Sequence, residues 1–308
     1  MRLVSLDVLR GLAIALMVLA NNGVLAESDW NGLTLADCIF PTFVFVVGVA
    51  IPFSRTSKLR VTRRAAVLFI LGFALTTTNW TFVAAGYGDF RLLGVLQRIA
   101  LCYLFASIAF IYVKSRRARL VLVAAILVGY WLVMAQAPLT EAGNLAAQLD
   151  RALIGPSHMF NGVYDPEGLL STLPAIATCL MGVAVGESLR DKKPVGNLVN
   201  VGIITIAVGA AWSVVFPLNK ALWTSSFVLV VAGLDMLSLV LLSFVNERLS
   251  SPLEALGSNA IIIYCLNSIV NIYLHVPIVD NLERALVILA AWLLLSFALY
   301  KKRIFIRV

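Results

Sequence analysis

Apolar runs alternate with short polar segments along almost the whole chain. About ten of these runs reach roughly 20 residues, the length that crosses about 30 Å of hydrocarbon as a helix. Their centres lie near Ile14, Phe45, Ile70, Tyr103, Ile126, Ile176, Ile206, Val231, Ile263 and Leu293. We therefore predict an all-α fold, a polytopic transmembrane helical bundle of about ten transmembrane helices. Because the runs fill residues 1–308, we predict a single integral-membrane domain.

The composition supports the same class of protein. Hydrophobic residues make up 61% of the 308 residues, charged residues 13%, and the mean hydropathy is +0.94. A soluble domain carries about 25% charged residues. The sequence therefore disfavours a soluble enzyme and makes membrane lipids the first predicted partner.

The distribution of Lys and Arg predicts the orientation of the bundle, because cytoplasmic connections carry an excess of these residues. The rich set of connections holds Arg2, Arg55, Lys58, Arg60, Arg63, Arg64, Lys114, Arg116, Arg117, Arg119, Arg190, Lys192, Lys193, Arg248, Lys301, Lys302, Arg303 and Arg307. The poor set holds Arg91, Arg151, Lys220 and Arg284. We predict that the N- and C-termini are both cytoplasmic. The net charge of +8 is mostly this excess, whose default partner is anionic lipid, and nothing in its pattern indicates a nucleic-acid partner.

No metal site is predicted. The two His are far apart, CxxC and HExxH are absent, and the four Cys all lie within apolar runs, where packing is their ordinary role.

The longest polar connection is a non-cytoplasmic loop at about 138–167. Loops of this length are usually functional or disordered. His158 lies in it and could act as a general base near neutral pH, although a single loop His is often incidental. Asp165 and Glu167 follow in the sequence YDPEG, where the first turn of a helix would also explain two acidic residues.

Three carboxylates cluster where the first apolar run ends and the second begins. Glu27 and Asp29 lie in the connection, and Asp37 lies inside the second run. A charged side chain within a membrane span costs at least about 2.5 to 3.5 kcal/mol and usually faces a water-filled site. We predict that these carboxylates converge in a site. A solvated loop for Glu27 and Asp29, and dipole capping for Asp37, are the alternatives.

Hydrogen-bond donors lie at the same end of the predicted bundle as these three carboxylates. Asn21 and Trp30 flank the carboxylates, and Lys220 and Trp223 mark the same side of the eighth apolar run. Donors directed at a developing oxyanion are what acyl transfer requires. For Asn21 the alternative is simple helix termination.

On the opposite side, Asp7 and Arg10 are three residues apart and share a helix face. A structural ion pair is one interpretation, and an anionic ligand of Arg10 is the other.

Several segments, taken together and in order, resemble the heparan-α-glucosaminide N-acetyltransferase family of transmembrane enzymes. They are SLDVLRGLAIALMVLANN, WNGLTLADCIFPTFVFVVG, RLLGVLQRIALCY, YDPEGLLSTLPAIATCLMGV, LNKALWTSSFV, LGSNAIIIY and YKKRIFIRV. The resemblance implies acetylation of an amino sugar or glycan by cytoplasmic acetyl-CoA on the far side of the membrane. For a bacterial member this is the inner (cytoplasmic) membrane and the far side is the periplasm. It also implies a homodimer.

By motif match, the resemblance makes Asn21, Asp37 and Asn259 active-site candidates. It makes the YDPEG, NKALW and SNA segments walls of the site, the last containing Ser258. With Arg10, the residues Ser258 and Asn259 are the predicted acetyl-CoA contacts, and Asn21 and Asn259 are predicted to hold the thioester carbonyl.

One position departs from the family pattern, which has a catalytic His three residues before the Trp of WNG. This chain has Glu27 there. An acyl-His intermediate is impossible at this position, so we expect direct transfer with Glu27 or His158 as the base. Two alternatives are a sugar or lipid-linked glycan transporter using Asp7, Arg10, Arg98 and Asp235, and a catalytically inactive family member.

Overall fold

The computed structural model describes residues 4–54, 57–83, 90–273 and 281–305. Arg2, Arg55 and Arg307, which were used to predict the orientation, lie outside these ranges. Within them the chain forms helices joined by short connections. The helices are α1 Val4–Asn21, α2 Leu35–Ala50, α3 Lys58–Val83, α4 Val95–Tyr112, α5 Arg116–Met134, α6 Leu145–Leu153, α7 Thr172–Arg190, α8 Val195–Trp212, α9 Ser225–Ser243, α10 Glu247–Ser258, α11 Ala260–Tyr273 and α12 Asn281–Lys301.

The polytopic helical bundle is confirmed, with a somewhat different number of spans. Among the described residues, eight helices are long and apolar enough to cross a membrane: α1, α2, α4, α5, α7, α8, α9 and α12. Residues Ser251–Ser258 and Ala260–Asn271 form a ninth candidate that is bent by 80°. The further apolar run, centred near Ile70, forms α3, whose 26 residues reach about 39 Å. Its lower hydropathy reflects the basic start and the three consecutive Thr.

One close contact of the bundle is between α2 and α7, whose backbones touch at glycines. A Cβ atom added to Gly48 would lie 2.0 Å from the carbonyl oxygen of Cys179, and one added to Gly182 would lie 2.1 Å from that of Phe45. Side chains larger than hydrogen do not fit at such distances, so these glycines permit the approach. The contact fixes α2, which carries Asp37, against α7.

A second close contact joins α1 to α10. Added Cβ atoms on Gly11 and Gly257 would lie 1.9 Å from the Leu253 carbonyl oxygen and 1.8 Å from the Asp7 carbonyl oxygen. The chain then bends at Asn259, so α11 starts beside α1 in a new direction. Non-helical backbone at membrane depth usually borders a cavity.

The predicted loop at 138–167 contains α6. Asn144 caps this helix by accepting a hydrogen bond from the Ala147 amide at 2.8 Å. Arg151 closes the loop by donating to the carbonyl oxygen of Val163 and to that of Ala142. The segment is thus an ordered cover over one end of the bundle.

Candidate active site

Two cavities lie at opposite ends of the same helices. The first, the Asp37 chamber, has a volume of about 340 Å³. Its polar lining residues are Asn21, Glu27, Ser28, Asp29, Trp30, Asp37, Arg91, Tyr164, Glu167, Lys220, Tyr264 and Ser268. The chamber therefore borders the end of α1 and the start of α2, and it is rich in charge.

The second cavity, the Arg10 chamber, has a volume of about 550 Å³ and borders the start of α1 and the end of α2. Its polar lining residues are Asp7, Arg10, Ser54, Arg64, Tyr103, Ser258 and Tyr264, and its remaining walls are mostly aliphatic. Arg10 donates to Asp7 at 3.1 Å, which is the predicted intrahelical ion pair. Because α1 and α2 are long and apolar enough to cross a membrane, the two chambers lie towards opposite sides of it.

The two chambers meet at three shared side chains. Phe43 of α2, Val95 of α4 and Tyr264 of α11 line both of them. We call these three side chains the neck. Each of them is partly exposed, because it faces the chambers.

Asp37 is held by a capping box at the start of α2. Thr34 is the N-cap, and the Asp37 Oδ2 atom accepts hydrogen bonds from the Thr34 amide at 2.9 Å and from the Ser28 amide at 3.1 Å. Such reciprocal caps satisfy amides that have no partner within the helix. The carboxylate that lines the chamber therefore also fixes the loop immediately after Glu27.

Glu27 forms an ion pair with Lys220, whose Nζ atom contacts its Oε1 atom. The Glu27 side chain is 59% exposed and the Lys220 side chain 18%, so the cation is the more buried partner. This pair joins the loop after α1 to the connection before α9 in the wall of the chamber. A carboxylate and a cation are thereby placed together in the chamber lining.

The same two connections are joined by a set of polar contacts around Trp30. Asn219, which is fully buried, donates to the Trp30 carbonyl oxygen at 2.6 Å. The Trp30 indole donates to the Leu139 carbonyl oxygen at 2.7 Å and meets the Tyr164 ring edge-on at 5.2 Å. Trp30 thus forms a wall of the chamber and is held in place by the 138–167 loop.

Arg91 completes the opposite wall with two carboxylates. It donates to Asp165 Oδ1 at 2.8 Å and also to Glu167, and its guanidinium lies 4.9 Å from the centre of the Phe160 ring. Burial alone would lower the pKa of Arg91, but attraction to Glu167 and Asp165 outweighs it and raises that pKa. Burial raises the pKa of Asp165 as well, against the lowering effect of Arg91. The cluster holds Glu167 against the chamber.

Beneath this cluster, Arg98 of α4 is almost completely buried at 1% exposure. Its guanidinium lies 4.9 Å from the Trp223 ring centre and donates to Ser171 and to the Gly168 carbonyl oxygen. A desolvated cation over an indole is stabilised by about 2 kcal/mol. Arg98 and Trp223 therefore support the YDPEG turn from below and do not line the chamber.

Most of the predicted residues of the non-cytoplasmic surface are brought together. Asn21, Glu27, Asp29, Trp30, Asp37, Glu167 and Lys220 line the Asp37 chamber, and Asp165 contacts it through Arg91. His158 lies elsewhere: its Nδ1 atom is 2.9 Å from the Phe90 carbonyl oxygen, and its ring packs on that of Phe90 at 4.5 Å.

Two of the three predicted acetyl-CoA contacts line a chamber, and the third is buried away from both chambers. Arg10 and Ser258 line the Arg10 chamber. Asn259 is fully buried at the bend and donates to the Ile304 carbonyl oxygen at 3.2 Å, and it lines neither chamber. The structure thus does not bring Asn21 and Asn259 together at one carbonyl.

Sequence reasoning did not select Arg91 or Tyr264. Arg91 could have been noticed as a cation on the side that is poor in Lys and Arg, directly before a span. Tyr264 gave no signal, because an aromatic residue in an apolar run usually packs in the core. In the described ranges no group of three or more His, Cys, Asp or Glu could hold a metal ion.

Comparisons with known proteins place this chain in a family. The family model described as heparan-alpha-glucosaminide N-acetyltransferase, catalytic, matches residues 2–210, which is more than half of the chain. The chain belongs to this family. The heparan-alpha-glucosaminide N-acetyltransferase of Homo sapiens is 26% identical over 397 aligned positions, which cover 99% of this chain and 59% of the human protein. The Mus musculus protein of the same name is 26% identical over 394 positions, with 99% and 60% covered. The chain thus spans about three fifths of the length of these family members.

Proposed function

We propose that this protein is a membrane acetyltransferase that uses acetyl-CoA from one side of the membrane to acetylate an amino sugar or glycan on the other. The observation that carries the proposal is the pair of chambers at opposite ends of α1 and α2, which meet at the neck. A transferase that keeps its two substrates on opposite sides needs such a meeting point. Family membership supports the reaction class.

The Arg10 chamber suits the donor. Its volume is the larger, its walls are mostly aliphatic, and Arg10 and Arg64 provide cations among its lining residues. The excess of Lys and Arg on this side of the bundle indicates the cytoplasm, where acetyl-CoA is available. We propose that the chain lies in the inner membrane of a bacterium, so that the Asp37 chamber opens to the periplasm.

The Asp37 chamber suits an amino sugar. Glu27, Asp29 and Glu167 provide carboxylates for hydroxyl and ammonium groups, and Trp30 and Tyr164 provide aromatic walls for a sugar ring. A ring packed on such walls would hold its amine towards the neck. The chamber thus combines apolar faces with a few polar groups, as small-molecule sites do.

We propose direct transfer, with roles for groups that line this chamber. The acceptor nitrogen attacks the thioester carbonyl carbon, Glu27 takes the proton that nitrogen loses, and the carbon–sulfur bond then breaks to release the thiolate. Asn21, at the end of α1, donates to the carbonyl oxygen. Asp37 acts as a positioning residue, because its Oδ2 atom holds the loop that follows Glu27. A well-matched base contributes about 10²- to 10⁴-fold.

A transporter would also need a path through the bundle, and two chambers that meet could provide one. The groups that suggested transport are, however, dispersed. Asp7 and Arg10 line the Arg10 chamber, whereas Asp235 lies against Thr42 at 2.6 Å and Arg98 lies against Trp223. They do not line a common path, which favours the enzyme.

Acetyl transfer by purified protein tests the proposal. We expect turnover of acetyl-CoA and glucosamine by the unmodified chain, and loss of turnover in Asp37→Asn and Asn21→Ala. Asp37→Asn keeps the shape of the side chain, but a neutral amide oxygen accepts from the Ser28 and Thr34 amides more weakly than a carboxylate, so it should loosen the loop that follows Glu27. Full activity in both variants would refute the site assignment.

Matched controls come from the opposite side of the bundle. Asp191 is 49% exposed and Asn197 is exposed at the start of α8, and neither lines a chamber. Asp191→Asn and Asn197→Ala should retain turnover. Glu27→His restores the residue type that the family pattern has at this position. An inactive chain that gains turnover in Glu27→His would identify an inactive member, and sugar flux without acetyl-CoA would identify the transporter. We also propose a homodimer, which light scattering in detergent would test.

A further inference from the structure

The neck contains one polar group. Phe43 and Val95 present only carbon atoms at the place where the chambers meet, whereas Tyr264 carries a hydroxyl. An acyl group that moves from the Arg10 chamber to the Asp37 chamber has to pass these three side chains. The phenol is therefore the polar atom that its carbonyl meets on the way.

Tyr264 is joined within α11 to a residue of the Asp37 chamber. Ser268, one helical turn further along α11, lines that chamber and donates to the Tyr264 carbonyl oxygen at 2.9 Å. Glu167 and Arg91 line the same chamber as Tyr264 and Ser268. The phenol consequently belongs to the neck and to the wall of the acceptor chamber.

The course of α11 explains how one residue reaches both chambers. The helix starts after the 80° bend, and Ala260 and Ile261 in its first turn line the Arg10 chamber. Two turns later, Ser268 lines the Asp37 chamber. Broken spans of this kind form binding sites near the membrane midplane in other membrane proteins. The helix thus follows the path from donor to acceptor, with Tyr264 between the two ends.

We infer that Tyr264 is a further catalytic residue, whose phenol donates a hydrogen bond to the carbonyl oxygen of the acyl group at the neck. The inference rests on the proposed function. As the acceptor nitrogen bonds to the carbonyl carbon, negative charge develops on that oxygen and the phenol stabilises it while keeping its own proton. The carbon–sulfur bond then breaks, the thiolate leaves towards the Arg10 chamber, and the proton from nitrogen goes to Glu27. Tyr264 thus fills the role of second carbonyl donor that the sequence assigned to Asn259.

Tyr264→Phe in the full chain tests this role, because it keeps the ring that forms the neck and removes only the hydroxyl. Tyr112→Phe is the matched control: Tyr112 is exposed at the end of α4, beside Lys58, and lines neither chamber. The readouts are kcat and KM for acetyl-CoA with glucosamine. The affinity for S-ethyl-CoA, which lacks the carbonyl, and the unfolding temperature in detergent are measured beside them.

Loss of one oxyanion donor typically lowers kcat by about 10²- to 10³-fold. We expect a fall of about a hundredfold in kcat for Tyr264→Phe, with S-ethyl-CoA affinity and unfolding temperature unchanged, and no change in Tyr112→Phe. Unchanged kcat in Tyr264→Phe would overturn this inference and leave the proposed function standing. An equal loss of kcat and S-ethyl-CoA affinity would also overturn it, because it would indicate a packing role. Absence of both acetyl-CoA binding and turnover in the unmodified chain would overturn the proposed function and this inference together.

Discussion

Replacement of Gly182 by Ala should force α2 and α7 apart. The added Cβ would lie 2.1 Å from the Phe45 carbonyl oxygen and 3.0 Å from the Val49 amide nitrogen, both backbone atoms that cannot rotate away. An ordinary carbon–oxygen contact is about 3.5 Å, so the helices must separate locally by about 1.4 Å. Overpacking of this kind costs about 1 to 3 kcal/mol.

The control is Gly129→Ala in α5, where an added Cβ meets nothing within 4 Å. Ala is the better helix former by about 1 kcal/mol, a gain common to both variants. Their difference therefore isolates the cost of the contact. At about 2 to 4 °C per kcal/mol, thermal unfolding in detergent should place Gly182→Ala a few degrees to about 10 °C below Gly129→Ala. Equal unfolding temperatures would refute the close α2–α7 contact as a source of stability.

Three further predictions concern charged groups of the site and its cover. Arg91→Met leaves Asp165 buried without this cation, so we expect the free energy of unfolding to fall by about 3 to 5 kcal/mol at pH 7.5. Part of this stability should return at pH 5.5, where carboxyls become protonated. A variant that unfolds at the same temperature as the parent at both pH values would contradict this prediction. Burial raises the pKa of Asp150 from 3.8 to about 6, so the folded chain binds this proton more tightly and stability falls as pH rises through that interval. Asp150→Asn should therefore raise the free energy of unfolding at pH 7.5 by up to about 3 kcal/mol, measured as a higher unfolding temperature. The gain should shrink towards pH 5. A gain independent of pH would contradict the burial of an ionised carboxylate as its cause. A double-mutant cycle with Glu27→Gln and Lys220→Met should give a coupling of about 0.2 to 1 kcal/mol in the free energy of unfolding, since Glu27 is largely exposed. This coupling should weaken in 1 M salt. A coupling above about 3 kcal/mol would show that the pair is buried in solution.

The sequence predicted the site best where polar groups stood out against apolar runs. A carboxylate at position 37 inside an apolar segment has few explanations, and the structure shows that chamber lining and helix capping both apply to it. The pairing of Asp7 with Arg10 followed from helical spacing alone. Such local relations can be derived from spacing because the helix geometry is fixed.

Long-range relations could not be derived in this way. Arg91 is 74 residues from Asp165, and its role depends on how α4 and the 138–167 loop pack. Asn259 is fully buried at the 80° bend, whereas Tyr264 lines both chambers, and helical spacing alone predicted neither position. The direction of a broken helix is set by tertiary contacts such as the approach of Gly257 to Asp7, and no periodicity in the sequence records it.

Transfer across a sealed membrane tests the central claim most directly. Oriented proteoliposomes would receive labelled acetyl-CoA on the side of the Arg10 chamber only and glucosamine on the opposite side only. The two chambers that meet at Phe43, Val95 and Tyr264 predict labelled N-acetylglucosamine on the glucosamine side, with no acetyl-CoA crossing. Product formed only when both substrates share one side, or no product from the unmodified chain and from Glu27→His alike, would contradict the account.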